Sequence, residues 1–316
     1  MKMKTMNAEQ CAALLREKDR ILIVTHYNPD GDTAASAAAL CSALRRAGKT
    51  AYLFPNPQIG ARLGSYVGAF FAPEDFAPDY TVAVDVATEN MYPSGFDGHI
   101  DLAIDHHPTN TGYADLSCID DERAACGEIV LKIVRALGGG VTREEADLLY
   151  IALSTDCGCF QYANTDAHAF RTAAELLELG AENAEINMLF FRQVSVNRLK
   201  LEGMIYSTMG FYRGGDIAVN IITQAMLRES GVVEEELDDV SGLVGRARGH
   251  RVGITIRENP DGSSKISVRS GPDFDSSALC ARFGGGGHKM AAGCNISAPP
   301  EEARERLLQA VEEMLA

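Results

Sequence analysis

The stretch Ile21-Leu-Ile-Val-Thr-His26-Tyr-Asn-Pro-Asp30-Gly-Asp32 decides the reading of this chain. Its first five residues form an apolar, β-branched run of the kind a strand buried on both faces requires. An Ala-rich segment follows, with helical character from Thr33 to Ala47, and Gly48 stands where a helix C-terminal cap is expected. Pro29 and Gly31 suit a tight turn between strand and helix. One imidazole and two carboxylates therefore sit beyond the carboxyl end of a strand, where open α/β sheets gather their ligands. Such a mixed nitrogen and oxygen donor set suits Mn²⁺, Fe or Zn²⁺ better than Mg²⁺.

The same short β pattern recurs at Ala51 to Phe54, Thr81 to Val86 and Leu102 to Ile104. Its alternation with helical segments argues for a parallel sheet flanked by helices. Helical patterns continue at Ala125 to Leu137, from the capping box Thr142-Arg-Glu-Glu145 to about Ser154, at Asp166 to Leu179, and at Asn183 to Gln193. The stretch up to Tyr206 reads as a helical connector. From Gly210 the pattern changes to hairpins, one turning at Gly214-Gly215 and another around Asn259-Pro-Asp-Gly262, before an amphipathic last helix from Pro300 to Leu315. The expected architecture is an α/β domain over 1–190, a helical linker over 191–209 and a smaller α/β substrate-binding domain over 210–316. No internal repeat is evident.

Composition narrows the function. The 316 residues are 46% hydrophobic and 23% charged, ordinary for a soluble globular protein. No apolar run approaches the roughly 20 residues that span a bilayer, and Met1 to Lys18 carries no signal-peptide pattern, so the expectation is a cytoplasmic protein. Eight scattered cysteines agree with a reducing compartment, and the Cys157/Cys159 pair alone is a weak zinc signal. A net charge of −15 argues against a general nucleic-acid-binding surface. Residues 244–292, however, hold eight Lys and Arg against four Asp and Glu, a local excess of four positive charges. That is a focused anion site.

Three further segments end in metal-type donors: Asp85 after an apolar strand, Asp105-His106-His107 after another, and Asp156 in Ser154-Thr-Asp156-Cys-Gly158 at a helix end. Read singly, Asp85 and Asp156 are turn or cap residues. Together with the first segment they supply His26, Asp30, Asp32, Asp85, His106 and Asp156, enough for two divalent ions about 3.5–4 Å apart with Asp85 as a bridge. Adjacent histidines diverge on an extended chain, so one can ligate while the other faces substrate. Such a pair of ions activates water and neutralises charge on phosphoryl oxygens. No Gly-x-Ser-x-Gly nucleophile is present, which sets acyl-transfer chemistry aside.

In order and spacing these segments resemble motifs I to IV of the DHH phosphoesterase family, and the resemblance covers nearly the whole chain. It implies that His26, Asp30 and Asp85 hold one metal, and Asp32, Asp85, His106 and Asp156 the other, with Mn²⁺ the most apt ion. His107 would contact the scissile phosphate or its nucleophile, and Asp105 would orient His106. Ala35 stands where the family often has Gly, and Cys157 where Thr is common; neither removes a ligand.

The last segment is Phe283-Gly-Gly-Gly-Gly287-His288-Lys289, which reads as a loop entering a short helix, with backbone N–H groups free to meet an anion. It resembles the family's DHH-associated C-terminal domain. By that resemblance Arg269, Ser270, Gly286, Gly287 and His288 bind phosphate, with Arg246 and Arg248 as further contacts; Arg suits bidentate phosphate binding. Read singly, each arginine is a solvated surface residue. The first domain would carry the metals, the second would anchor the terminal nucleotide, and the cleft between them would limit substrate length. The absence of Trp disfavours a long base-stacking channel.

Within the family, the two-domain length most resembles the bifunctional oligoribonuclease and pAp phosphatase (nanoRNase) group, pAp being 3′-phosphoadenosine 5′-phosphate. The expected activity is release of mononucleotides from very short RNA and dephosphorylation of pAp. The nearest alternative is hydrolysis of a cyclic dinucleotide or its linear product pApA. A single-stranded DNA exonuclease and a non-catalytic nucleotide sensor are the remoter ones. Expected partners are short RNA and small phosphorylated nucleotides, with neither a membrane nor a long duplex, and a homodimer is admissible.

Overall fold

The structure, a computed structural model, describes residues 4–237 and 240–315. The chain divides into two compact units, residues 1–193 and 194–316.

The first unit is an α/β domain with a six-stranded sheet. Its strands are β1 (Lys4–Thr5), β2 (Ile21–Val24), β3 (Ala51–Leu53), β4 (Tyr80–Val84), β5 (Leu102–Asp105) and β6 (Leu116–Ile119), in the order β1-β6-β5-β4-β2-β3. Every pairing is parallel. The strand order turns back between β2 and β4, so the carboxyl ends of those two strands flank a topological switch point. Every residue of β2, β4 and β5 is buried, which explains their unbroken apolar runs.

Among the described residues seven helices accompany the sheet: α1 (Ala8–Glu17), α2 (Gly31–Arg46), α3 (Ala61–Val67), α4 (Cys126–Leu137), α5 (Arg143–Asp156), α6 (Ala167–Glu178) and α7 (Asn183–Asn187). α2 is the central one, with 13 of its 16 residues buried and packing against both α4 and α5. Small Ala side chains permit that close approach. Gly31 is the extreme case, because a Cβ there would lie 2.3 Å from Thr155 Oγ1. The glycine thus serves helix packing rather than the tight turn expected from the sequence, since Gly31 is already the first residue of α2.

Four elements of this unit have no counterpart in the sequence-based expectation: β1, α1, α3 and β6. α1 nevertheless carries its own signals, a capping box between Asn7 and Gln10 and an apolar stripe of Ala8, Cys11, Ala12 and Leu15. The helix expected over Asn183 to Gln193 breaks after Asn187 into a single wide π turn, Met188–Arg192.

The second unit has a mixed sheet in the order β11-β12-β10-β9-β8-β7. Its strands are β7 (Gly210–Tyr212), β8 (Ile217–Ile222), β9 (Val252–Glu258), β10 (Ser264–Ser270), β11 (Gly286–His288) and β12 (Ala291–Ile296). Of these six strands, β8 and β9 run parallel and the other neighbours antiparallel. Its helices are α8 (Val196–Thr208), α9 (Gln224–Ser230), α10 (Ser276–Ala281) and α11 (Pro300–Leu315). The core joins Ile254, Ile256 and Val268 of the sheet to Leu279 of α10 and Leu307 of α11. Among the described residues no helix is long and apolar enough to cross a membrane.

Candidate metal centre

The centre forms where β2, β4 and β5 end. His26 stands two residues beyond β2, Asp85 immediately follows β4, and Asp105 closes β5, leading into His106 and His107. Asp30 is the N-cap of α2, its Oδ1 accepting from Thr33 N at 3.1 Å, and Asp32 lies in the first turn of that helix. Asp156 is the last residue of α5, which α2 holds close through Gly31.

These residues form interlocking groups, His26/Asp30/Asp85 and Asp32/His106/Asp156, with Asp85 also beside His106 and His107. Asp85 stands between the groups. Its Oδ2 lies 3.9 Å from His26 Nε2, and its Oδ1 lies 3.4 Å from both His106 Nε2 and His107 Nδ1. A left-handed backbone (φ 59°), which Asp tolerates, aims it there. Around His106 Nε2 three carboxylates converge: Asp85 at 3.4 Å, Asp156 at 3.7 Å and Asp32 at 3.8 Å.

Electrostatically the arrangement is costly by itself. Burial, and then the charges of Asp32, Asp30, Asp105 and Asp156, push Asp85 well above the usual carboxylate range. Burial followed by Asp156 and Asp30 does the same to Asp32, although Cys126 N, Gly127 N and Ser36 Oγ all donate to it. Asp156 is raised chiefly by burial. Burial alone would raise Asp30 too, but the His26 side chain and neighbouring backbone N–H groups hold it below its ordinary value.

Asp85 Oδ1 is buried without a hydrogen-bond partner among the described residues. Buried polar atoms are seldom left so. Donor atoms bound about 2.1 Å from one cation lie roughly 3–3.5 Å apart, close to the separations found here. The residues therefore fit divalent cations, with hard carboxylates and imidazoles as donors.

Two details differ from the sequence-based expectation. Asp105 does not orient the His106 ring. Its Oδ1 accepts from both backbone N–H groups, His106 N at 2.8 Å and His107 N at 3.1 Å, and from His107 Nδ1 at 2.7 Å. The His106 ring is held instead by Arg123 O, 3.1 Å from Nδ1. Nor do the two rings diverge: their centroids lie 4.5 Å apart. Asp105 keeps its own pKa low against burial through His107 and Asn110, and in return raises that of His107. Asn110, whose Nδ2 donates to Asp105 Oδ2 at 2.6 Å, and Thr33 were missed, being ordinary polar residues beside the motifs.

In the second unit the Gly-rich segment is not a loop entering a helix. Gly286–His288 is strand β11, paired antiparallel with β12, because Gly287 (φ 143°) lets the backbone pass where a Cβ would lie 2.7 Å from Ala292 Cα. Across β10, β12 and β11, Arg269, Ala291 and His288 share one row, so Arg269 and exposed His288 stand at the same end of the sheet. Ser270 adjoins them, its Oγ bonded to Ser276 Oγ at 2.8 Å and Phe274 O at 3.1 Å. Arg269 Nη2 reaches Ser241 Oγ at 3.4 Å, in the turn Val240–Arg246. Arg246 is tied to Tyr206 OH at 3.0 Å and Glu202 Oε2 at 3.4 Å, while Arg248 is exposed in the loop that follows.

Residues 20–153 match the DHH family, N-terminal domain, and residues 217–316 the DHHA1 domain. A bifunctional oligoribonuclease and PAP phosphatase NrnA of Thermus thermophilus is 34% identical over 303 residues, covering 93% of this chain and 90% of the relative. The chain belongs to the DHH family. The protein of the same name from Bacillus subtilis is 26% identical, covering 88% of this chain and 90% of the relative. In fold, the DHH chain is similar to an exopolyphosphatase-related protein from Bacteroides fragilis, with TM-score 0.83, 24% identity and coverage of 97% and 96%. This DHH-family chain is a metal-dependent phosphoesterase.

Proposed function

We propose that the protein releases mononucleotides from very short oligoribonucleotides and dephosphorylates pAp to AMP, using two divalent cations, Mn²⁺ by preference. The observation that carries the reading is the Asp85 carboxylate, buried and short of a donor, with one oxygen toward His26 and the other toward His106. The similarity to two bifunctional oligoribonuclease and PAP phosphatase proteins over about nine-tenths of their length supports the substrate class.

In this reading His26, Asp30 and Asp85 hold one ion, and Asp32, Asp85, His106 and Asp156 the other. The ions, when bound, supply Lewis acidity that activates water and offsets negative charge on the phosphoryl group. The protein supplies the rest. Asp105 accepts from His107 Nδ1 and stabilises the imidazolium, so that Nε2 is left as a proton-bearing donor for a phosphoryl oxygen. Arg269, Ser270, the backbone of Gly286 and Gly287, and His288 bind a substrate phosphate, with Arg246 and Arg248 adding positive potential. A site of local charge +4 on a chain of net charge −15 favours a short anion over a long polymer. Turnover of pAp, pApA, cyclic di-AMP and di- to pentaribonucleotides by the purified Mn²⁺-loaded protein tests the assignment. Inactivity on both pAp and the short RNAs would overturn it.

A further inference from the structure

The two groups of ligands are supported by different parts of the first unit. Thr33 serves the first. Its N–H donates to Asp30 Oδ1 at 3.1 Å, and its Oγ1 accepts from His26 N at 3.4 Å and donates to Val84 O at 2.8 Å. Val84 directly precedes Asp85, so one fully buried threonine fastens all three of His26, Asp30 and Asp85.

The backbone of residues 123–127 serves the second. Arg123 O holds His106 Nδ1 at 3.1 Å, Cys126 N donates to Asp32 Oδ2 at 2.6 Å, and Gly127 N donates to Asp32 Oδ1 at 3.0 Å. The third ligand is joined to this segment by Asn164. Its Nδ2 donates to Ala124 O at 3.2 Å and Asp156 O at 3.1 Å, and lies 3.5 Å from Asp156 Oδ2. The segment is anchored from behind by buried Glu128, which accepts from Ala124 N at 2.9 Å and Thr172 Oγ1 at 2.9 Å and pairs with His168 Nδ1. Arg123 O, Ala124 O, Ala124 N, Cys126 N and Gly127 N are thus all engaged within five residues.

We propose that Asn164 and Glu128 are positioning residues for the Asp32/His106/Asp156 cation site alone, and that Thr33 positions the His26/Asp30/Asp85 site, reaching the other site only through the shared Asp85. Each set acts by holding ligand backbones and rings in place, without touching substrate. Groups bonded to ligands tune metal affinity by about 10- to 100-fold. The two cation sites are therefore separately adjustable despite sharing Asp85. The proposal rests on the two-ion reading but not on the identity of the substrate.

The test is Mn²⁺ binding to the full chain, followed by the paramagnetic resonance signal of free Mn²⁺, with thermal melting in chelator as a check of folding. The wild type takes up two equivalents. Asn164→Ala weakens one of them by about 10- to 100-fold and leaves the other unchanged. Thr33→Val weakens the complementary one more than it weakens this one. Combination with ligand deletions identifies which is which. With His26→Ala, adding Asn164→Ala weakens the ion that remains; with Asp156→Ala, adding it changes nothing. Asn164→Leu keeps about the size of the side chain and loses both donors without adding charge, so it reproduces the loss if the alanine variant does not fold. Glu128→Gln, which keeps the Oε1 acceptor for Ala124 N, weakens the same equivalent less than Glu128→Ala.

Equal weakening of both equivalents, or wild-type binding by a folded Asn164 variant, overturns the proposal. Uptake of fewer than two ions by the wild type overturns the two-ion reading beneath it. Two well-separated equivalents in a protein inactive on short RNA and pAp would instead condemn the substrate assignment and leave the positioning residues standing.

Discussion

Asp85→Asn is expected to stabilise the metal-free protein while removing its response to metal. Asp85 is 2% exposed, its Oδ1 lacks a donor, and four carboxylates raise its pKa further after burial has done so. Asn is nearly isosteric and tolerates the left-handed backbone at this position. An unpaired buried polar group costs about 1–3 kcal/mol, so relief of about 1–2 kcal/mol is expected. For a unit of this size that is roughly a 2–8 °C rise in Tm. In the wild type, Mn²⁺ at about 100 times its Kd adds about 2.7 kcal/mol per ion. The variant loses much of that shift. The pH dependence follows from the direction of the Asp85 shift. A carboxyl with a raised folded-state pKa binds more protons folded than unfolded above the ordinary value, so stability falls as pH rises through the raised value. The advantage of Asp85→Asn over the wild type in chelator is therefore largest at neutral pH and shrinks on acidification. Differential scanning fluorimetry in EDTA and in Mn²⁺ between about pH 5 and pH 8 measures both effects. An Asp85→Asn variant less stable than the wild type without metal, yet shifted equally by Mn²⁺, would refute this reasoning.

Other substitutions separate the parts of the molecule. Gly31→Ala places a Cβ 2.3 Å from Thr155 Oγ1 and pushes α2 from α5; it should cost about 1–3 kcal/mol, read by urea melts, and weaken Mn²⁺ binding as Asp32 and Asp156 part. Asp105→Asn keeps an Oδ1 acceptor but removes the negative charge that stabilises the His107 imidazolium, so kcat on pAp should fall by about 10²-fold or more with KM little changed. Gly287→Ala, at φ 143° and against the β12 backbone, should distort the β11 hairpin. Its expected signature is a raised KM for pAp with Mn²⁺ uptake intact, and an unchanged KM would remove β11 from the phosphate site.

The parallel sheet was legible because β2, β4 and β5 are fully buried and so carry uninterrupted apolar runs. Donors at their carboxyl ends were legible for the same reason: the run marks the strand, and the residue after it marks the site. β1 is two residues long and leaves no such run. α1 hides its apolar stripe among charged neighbours. Geometry contributed by backbone groups could not be read from residue types. The acceptor for His106 is the carbonyl of Arg123, which any residue at that position would offer. The two histidines share one side of the turn because Asp105 takes both of their N–H groups. The glycines from 284 to 287 read as a loop entering a helix, whereas Gly286–His288 form a strand and Gly287 meets a packing constraint against β12 that only the strand register reveals.

The most direct test of the central claim is a product time course on 5′-labelled di- to pentaribonucleotides, with pAp in parallel, for the Mn²⁺-loaded wild type and Asp85→Asn. The wild type should release mononucleotides from the short RNAs and phosphate from pAp, and chelation or Asp85→Asn should abolish both. Turnover that persists in Asp85→Asn, or a metal-loaded wild type inert toward both substrates, would contradict the account.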